Sequence, residues 1–168
     1  MKMIFKTSNS NMKNKSILIY LAIMALTISC NHIYKEYDKE SFPTYTWKHG
    51  QEITFNPTIE DVNKTYTLTL GVRHLFGFQL SAMNVTVKST SPSGKVSTKE
   101  YALTIKDSEG KYLAKCGGDL CDLEIVVEDN LKFSEPGKYK YVVTHNVKTD
   151  RIPGVMEFGL IIDEKEKD

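Results

Sequence analysis

The sequence predicts an all-β domain, an antiparallel β-sandwich of the jelly-roll or immunoglobulin-like kind. Three observations predict it: alternation of apolar and polar residues with a period of two, regularly spaced turn residues, and no convincing helical stripe. A strand with one buried face requires such alternation, because successive side chains point to opposite sides of a sheet. Short strands separated by frequent turns favour a sandwich.

Two segments alternate most clearly, residues 65–73 (TYTLTLGVR) and 138–147 (KYKYVVTHNV). Both are rich in the Thr, Tyr and Val that suit a pleated, half-buried surface. Further strands are predicted over 52–55, 83–89, 96–105, 120–127 and 155–162. Gly and Pro mark turns at 49–50, 91–94, 107–110, 117–119, 135–137 and 153–154. The pattern therefore predicts one sandwich domain.

The N-terminal segment is predicted to be a secretory signal peptide, residues 1–29. Residues 1–28 contain four lysines and no acidic residue, and they end in an apolar run over 17–28 that only Thr27 interrupts. That run is too short to cross a bilayer, which needs about 20 apolar residues. The pattern is tighter if translation starts at Met12, which places Lys13 and Lys15 directly before the apolar run.

Cys30 is predicted to carry a lipid. Small Ser29 directly before Cys30, after an apolar run, resembles the lipobox that the lipoprotein signal peptidase reads, although Thr27 stands where that motif usually has Leu. The alternative is an ordinary secretory signal followed by a chance cysteine. With two or three acyl chains on Cys30, membrane anchoring would be effectively stable.

Beyond Cys30 the chain is expected to form a lipidated polar tether over 30–40, a sandwich domain over 41–163 and a charged tail over 164–168. About 139 residues suffice for one domain with a real core. All 21 acidic but only 18 of the 22 basic residues lie beyond Cys30, so the mature chain has a net charge near −3. A weakly acidic domain without a basic stripe argues against nucleic acid as a partner.

The residues that usually carry catalysis form no recognisable pattern. Four histidines (32, 49, 74 and 145) are scattered without the paired spacing of metal ligands. No nucleophile elbow, phosphate loop or zinc signature is present in the sequence. We therefore expect no enzymatic activity, no metal site and no cofactor.

Arg73, His74 and Phe76 are the candidate partner contacts. They follow an alternating strand and precede a loop, and Arg with neighbouring aromatics suits an interface hot spot. The alternative is a solvent-facing Arg73 and a packed His74.

The aromatic residues Phe42, Tyr45 and Trp47 also leave two readings open. They could form a platform for sugar rings, or they could pack the first segment against the sandwich.

Cys116 and Cys121 lie on either side of a four-residue turn. In an oxidising envelope compartment they could form a disulfide, and two free thiols are equally compatible with the sequence.

Several ordered motifs carry a family resemblance from residue 34 to residue 163. They are Phe42-Pro43-x-Tyr45-x-Trp47, Leu70-x-x-Arg73-His74, Ser93-Gly94-Lys95, Asp107-x-x-Gly110-Lys111-Tyr112-Leu113, Phe133-x-x-Pro136-Gly137-x-Tyr139 and Asp150-x-x-Pro153-Gly154-Val155-Met156-x-x-Gly159-Leu160. Together with the lipobox they resemble the gliding-motility lipoprotein H family (GldH) of Bacteroidetes-type bacteria. The resemblance implies a non-enzymatic envelope lipoprotein in gliding motility or type IX secretion-linked envelope assembly. Its partners would be the membrane, through the lipid anchor, and envelope proteins of the gliding and secretion apparatus.

Residues 31–34 lack the acidic cluster that follows the cysteine of surface-exported Bacteroidetes-type lipoproteins. We therefore expect a periplasm-facing domain, anchored in the outer membrane. The alternative function is a glycan-binding envelope lipoprotein, because fold alone does not separate the two classes. A flat row of exposed aromatic rings would favour glycan, and one apolar patch of suitable size would favour protein.

Overall fold

The computed structural model describes residues 32–165, which form thirteen β-strands and no helix. The strands are β1 (His32–Asp38), β2 (Thr46–Lys48), β3 (Ile53–Phe55), β4 (Thr58–Ile59), β5 (Tyr66–Leu75), β6 (Ala82–Thr90), β7 (Val96–Thr104), β8 (Lys115–Gly117), β9 (Leu120–Leu131), β10 (Gly137–Lys138), β11 (Lys140–His145), β12 (Arg151–Pro153) and β13 (Val155–Glu164). The predicted signal peptide and Cys30 lie outside the described residues. Within residues 32–165 no helix has the length and apolarity needed to span a bilayer.

Two antiparallel sheets dominate the fold. Sheet A has the strand order β1-β13-β5-β9-β8, and sheet C has the order β3-β11-β6-β7. Two short ribbons, sheet B (β12-β2) and sheet D (β10-β4), complete the fold. The sheets enclose one shared apolar core. The prediction of an all-β antiparallel sandwich is therefore confirmed.

The core is built from the alternate residues that the sequence pattern marks. Leu68, Leu70 and Val72 of β5 lie in register with Ile162, Leu160 and Phe158 of β13, and all six are buried. Sheet C contributes apolar side chains of β3, β6 and β11 to the same core. The two sheets meet where the rings of Phe55 and Phe158 lie 6.5 Å apart. Burying this much apolar surface is the main stabilising contribution to such a fold.

Phe42 and Trp47 settle one of the open alternatives, because both are buried. Phe42 packs edge-on against Trp47 at 5.8 Å, and Trp47 lies 5.0 Å from Phe158. The indole N–H of Trp47 donates a hydrogen bond to the carbonyl of Gln51 at 3.1 Å, which satisfies its polar group inside the core. These two rings therefore fasten the first segment to the sandwich and are not a sugar platform, whereas Tyr45 is exposed.

The expectation of a polar tether over 30–40 is wrong for most of its length. Residues His32–Asp38 form β1, an edge strand that pairs with β13 from His32↔Asp163 to Asp38↔Phe158. An edge strand forms backbone hydrogen bonds with one neighbour and exposes much of its surface, so its composition can remain polar. Residues 32–38 are thus part of the folded sandwich.

The prediction of a charged tail over 164–168 is wrong for its first two residues. β13 continues through Glu164, whose carboxylate accepts a hydrogen bond from Lys64 at 2.7 Å. The backbone N–H of Lys165 donates to Thr65 at 2.8 Å, and its ammonium group pairs with Asp129 at 2.7 Å. Glu164 and Lys165 thus belong to the sheet end, and residues 166–168 lie outside the described part.

Candidate functional site

Exposed apolar side chains gather at the end of the sandwich where β5 ends. We call Phe76, Leu113 and Leu120 the apolar tip; their side chains are 63%, 53% and 39% exposed. They come from three segments: Phe76 from the β5–β6 loop, Leu113 from the segment between β7 and β8, and Leu120 from the start of β9. Exposed apolar residues from separate loops that form one surface are typical of interaction sites.

Backbone contacts hold these loops together. Leu75 and Leu120 are paired residues of β5 and β9, and the backbone N–H of Phe76 donates to the carbonyl of Asp119 at 2.8 Å. The Phe76 ring packs edge-on against Tyr112 at 5.6 Å, which brings in the segment that carries Leu113. The tip is therefore one cross-connected surface.

His74 lies beneath the tip and supports it. Its ring packs against Phe78 at 5.0 Å and Tyr112 at 5.1 Å, and its side chain is fully buried. Nδ1 donates to the carbonyl of Leu75 at 2.9 Å. Burial is the main reason why the pKa of His74 is lowered, and the positive charge of Lys106 adds to this. Of the two alternatives for His74, the structure shows the packed histidine, because other side chains cover it in the folded domain.

Tyr112 connects the layers of this end. Its hydroxyl donates to the carbonyl of Phe78 at 3.0 Å, and the ammonium of Lys106 lies 5.0 Å from the centre of its ring. A cation over an aromatic face is a favourable electrostatic arrangement. Because these contacts fix the Tyr112 ring, Tyr112 restrains the Phe76 ring that packs against it.

The predicted cysteine pair lies at the same end. Cys116 and Cys121 are paired residues of β8 and β9, and their sulfur atoms are 2.01 Å apart, at bonding distance. Leu120, the first residue of β9, directly precedes Cys121. A bond there would restrain the part of the tip that β8 and β9 form.

An apolar cavity of about 270 Å³ adjoins this end of the sandwich. Phe78, Leu80, Val147, Ile152 and Pro153 supply its apolar wall. Cavities of this kind accept a single apolar side chain from a partner, which is how anchor residues act in protein interfaces.

Arg73 faces the opposite side of sheet A from His74. Its guanidinium donates from Nε to Asp122 at 2.6 Å and from Nη1 to Glu157 at 3.0 Å. The hydrogen bond to Asp122 is the main reason why the pKa of Arg73 is raised. Arg73 thus bridges strands β9, β5 and β13. Of the three predicted contact residues, only Phe76 is strongly exposed.

A second feature on the outer face of sheet A escaped the sequence reasoning. The ring of Tyr37 lies across Gly71 and Gly159, which face each other in β5 and β13. Its hydroxyl donates to Glu124 at 2.7 Å, and Lys35 pairs with the same carboxylate at 3.1 Å. The Tyr37 hydrogen bond is the largest reason why the pKa of Glu124 is lowered. Two isolated glycines inside strand patterns were the available signal of close approach.

Comparison with known proteins identifies the class of this domain. The family model of the GldH lipoprotein matches residues 32–162, nearly the whole described sandwich. The chain belongs to the GldH lipoprotein family, which confirms the resemblance carried by its motifs and associates it with the cell envelope.

One relative is the "Gliding motility lipoprotein GldH homolog" of Christiangramia forsetii. It is 27% identical over 153 residues, which cover 88% of this chain and 91% of the relative. Among solved structures, TmCBM61 in complex with beta-1,4-galactotriose matches 79% of this chain and 82% of its own at 14% identity, with a TM-score of 0.31. So low a TM-score supports no conclusion about this domain.

Within residues 32–165 no three potential metal-ligating His, Cys, Asp or Glu side chains gather into one group.

Proposed function

We propose that this lipoprotein is a non-enzymatic docking component of the envelope, acting in gliding motility or type IX secretion-linked envelope assembly. The observation that carries the proposal is the apolar tip, with Phe76 exposed on a surface that several loops hold together. An exposed aromatic beside an apolar cavity is the arrangement expected of a protein hot spot. The family and the gliding-motility name of the relative supply the process.

The placement of the histidines supports a non-catalytic role. His74 and His145 are buried among aromatic rings, and His32 hydrogen-bonds to Asp163 at 2.5 Å. A general base has to reach the proton that it removes from a substrate. Two of the four histidines are thus used for packing inside the domain.

The anchor would be Cys30, which Asn31 alone separates from β1. A lipid on Cys30 would then hold the start of β1 close to the membrane. His32, at the start of β1, is paired with Asp163 of β13, and Asp163 is paired with Thr67 near the beginning of β5. The start of β1 therefore lies beside the beginning of β5, whereas the apolar tip lies where β5 ends. Ten residues of strand span about 30 Å. With a lipid on Cys30, the apolar tip would therefore point away from the membrane, toward partners in the periplasm.

The exposed aromatic residues favour protein over glycan as the partner of this surface. In the described chain, the strongly exposed aromatic side chains are Tyr45 and Phe76, and they lie on separate loops. Two such rings do not make the flat row that stacking against a polysaccharide would require. The alternative of polysaccharide capture by exposed rings thus has no supporting surface at the tip.

Site-specific photo-crosslinking in cells tests the docking proposal. A photoreactive residue at position 76 should yield a discrete crosslink to an envelope protein, whereas the same residue at position 96 should not. Val96 is a matched control, because it is 52% exposed but lies at the far end of β6 and β7.

The variant Phe76→Ala should express like the wild type and impair surface spreading or type IX secretion, while Val96→Ala should leave both unchanged. Equal spreading by the two variants would contradict the proposal.

The anchor is tested separately with Cys30→Ser. Serine cannot form the thioether, so this variant should lose labelling by a fatty-acid analogue. Protease added to intact cells should spare the wild-type protein if it faces the periplasm from the outer membrane. Retained labelling would contradict lipidation at Cys30, and digestion would contradict the orientation.

A further inference from the structure

A second cavity lies between the sheets at the end opposite the tip. It has a volume of about 300 Å³ and lies between β7 of sheet C and β9 of sheet A. That volume is at the lower limit of small-molecule sites and exceeds what a simple inorganic anion needs. We call it the edge cleft.

Side chains that should be apolar are polar in this cleft. On the inner face of sheet C, Val87 of β6 is paired with Lys99 of β7, and Ser89 is paired with Ser97. Paired residues of antiparallel strands share a face, so Lys99 and Ser97 point to the side that buries Val87. Polar residues at core-facing positions are unfavourable unless they line a solvated site.

The opposite wall of the cleft, formed by sheet A, also carries a polar side chain at a position that faces the core. Glu128 of β9 is paired with Leu68 of β5, whose side chain lies in the core. Its carboxylate accepts hydrogen bonds from the hydroxyl of Tyr101 and from Lys99, the latter at 2.8 Å. These three side chains join the two sheets across the cleft and hold its width.

Tyr141 supplies the most specific feature. Its side chain is only 4% exposed and lines the cleft, while its hydroxyl keeps access to solvent and has no hydrogen-bond partner among the described residues. By contrast, the neighbouring Tyr139 donates to the carbonyl of Glu135 at 2.9 Å. A hydroxyl that is open to the cleft, on a ring fixed by burial, is an available donor for a bound molecule.

The charge of the cleft gives the sign of its ligand. Lys95, Lys99 and Lys132 line it, with Glu128 as the one acidic lining residue. Lys99 is paired with Glu128, and Lys95 is close enough to Glu135 to help lower the pKa of that carboxyl, whereas Lys132 forms no salt bridge within residues 32–165. Burial and the negative charge of Glu128 raise the pKa of Tyr141, so its hydroxyl stays protonated and donates. These groups present donors and positive charge.

We propose that the edge cleft binds an anionic, oxygen-rich ligand of monosaccharide size, the class of the uronic-acid sugars. Tyr141 would donate to a ring or hydroxyl oxygen, and Lys95 and Lys132 would bind the carboxylate. Ser97 also lines the cleft and offers a further hydroxyl, whereas the hydroxyls of Ser89 and Ser91 already hydrogen-bond within the protein. Recognition would rest on hydrogen bonds and charge, without stacking on exposed rings. The site is independent of docking at the tip.

Calorimetry on the full-length protein in detergent tests the proposal, with D-glucuronate, D-glucose and inorganic phosphate as probes. Glucuronate should bind at least tenfold more tightly than glucose. Tyr141→Phe removes the hydroxyl and keeps the ring, so it should weaken glucuronate binding roughly threefold to tenfold at an unchanged melting temperature. Lys132→Gln should weaken binding to a similar degree.

Lys140→Gln is the matched control, because Lys140 neighbours Tyr141 in β11 but is exposed on the other face of the sheet. It should bind glucuronate like the wild type, and so should Phe76→Ala, which separates this site from the docking surface. Unchanged binding by Tyr141→Phe would overturn the proposal. Phosphate binding as tight as that of glucuronate would reduce the cleft to a simple anion site. Displacement of glucuronate by phosphatidylglycerol in the micelle would replace the sugar with a lipid headgroup.

Discussion

The ring of Tyr37 occupies the space that a side chain at Gly159 would fill. A Cβ built at Gly159 would lie 2.6 Å from Cε1 of Tyr37, and one built at Gly71 would be closer still. Real Cβ atoms do not approach so closely, so both positions require glycine as long as the ring stays in place. β1 is thus held to the sheet by a ring in a shallow depression as well as by its backbone hydrogen bonds.

Replacing Gly159 with Ala should displace the Tyr37 ring and break its hydrogen bond to Glu124. We expect the free energy of unfolding to fall by about 1 to 3 kcal/mol, the usual effect of overpacking. Urea denaturation measures it. Gly117→Ala is the control, because a Cβ at Gly117 meets nothing within 4 Å; it should change stability little.

A double-mutant cycle identifies the cause. In a Tyr37→Ala background, the further change Gly159→Ala should cost much less, because the clashing ring is gone. An equal cost in both backgrounds would show that the ring is not the reason for the glycine.

Arg73→Ala should leave the fold intact and cost about 1 kcal/mol of stability. The guanidinium joins Asp122 and Glu157 on a partly exposed surface, where individual ion pairs contribute little. Its donors are already engaged, so surface spreading should persist, in contrast to Phe76→Ala. If Arg73→Ala melts normally and yet abolishes spreading, Arg73 contacts a partner.

Stability should fall as the pH drops below about 6.5. The pKa values of His74 and His145 are lowered in the folded domain, chiefly by burial, from an ordinary value of 6.5. Below that pH the unfolded chain binds protons that the folded domain does not, so unfolding becomes more favourable. The contribution is complete above pH 6.5 and is lost as the pH falls toward the folded pKa values.

Urea unfolding at pH 7.5 and 5.5 checks this pH dependence. Each buried histidine contributes at most about 1.4 kcal/mol to the difference. His74→Phe, which keeps an aromatic ring between Phe78 and Tyr112, should make the dependence on pH shallower. An unchanged slope would show that His74 is not responsible.

The mature protein should contain no free thiol before reduction and two after it. Cys30 would be blocked by lipid, and Cys116 and Cys121 face each other as paired residues of the neighbouring strands β8 and β9. Alkylation followed by mass spectrometry counts them. The pair Cys116→Ala and Cys121→Ala should lower the free energy of unfolding by about 2 kcal/mol, as expected for a very short loop. Alkylation of both cysteines without reductant would contradict the bridge.

Alternation predicted the central strands well because their two faces differ. The period that marks Tyr66 to Val72 also places His74 on the buried side and Arg73 on the other, so the burial of His74 was readable. β1 was missed because an edge strand with a polar composition lacks this contrast. Its pairing with β13 depends on a partner more than a hundred residues away, which local patterns do not reveal.

The candidate site was only partly predictable for the same reason. Phe76 was visible as an aromatic residue in a loop after a strand. That Leu113 and Leu120 join it depends on how β5, β8 and β9 meet, and the carboxylates that engage Arg73 lie 49 and 84 residues away in sequence. The polar lining of the edge cleft becomes apparent only when the pairing of β6 with β7 is known, because that pairing places Lys99 opposite the apolar Val87.

The attachment of β1 determines how this domain would respond to pulling. If the lipid on Cys30 holds the membrane while a partner pulls at the tip, tension runs along β1, whose hydrogen bonds to β13 lie across that direction. All of these bonds would be strained together in shear, and none could open before the others as in a zipper. The Tyr37 ring seated over its two glycines would resist the same sliding. Under such a load the domain would resist unravelling from the end at which β1 begins.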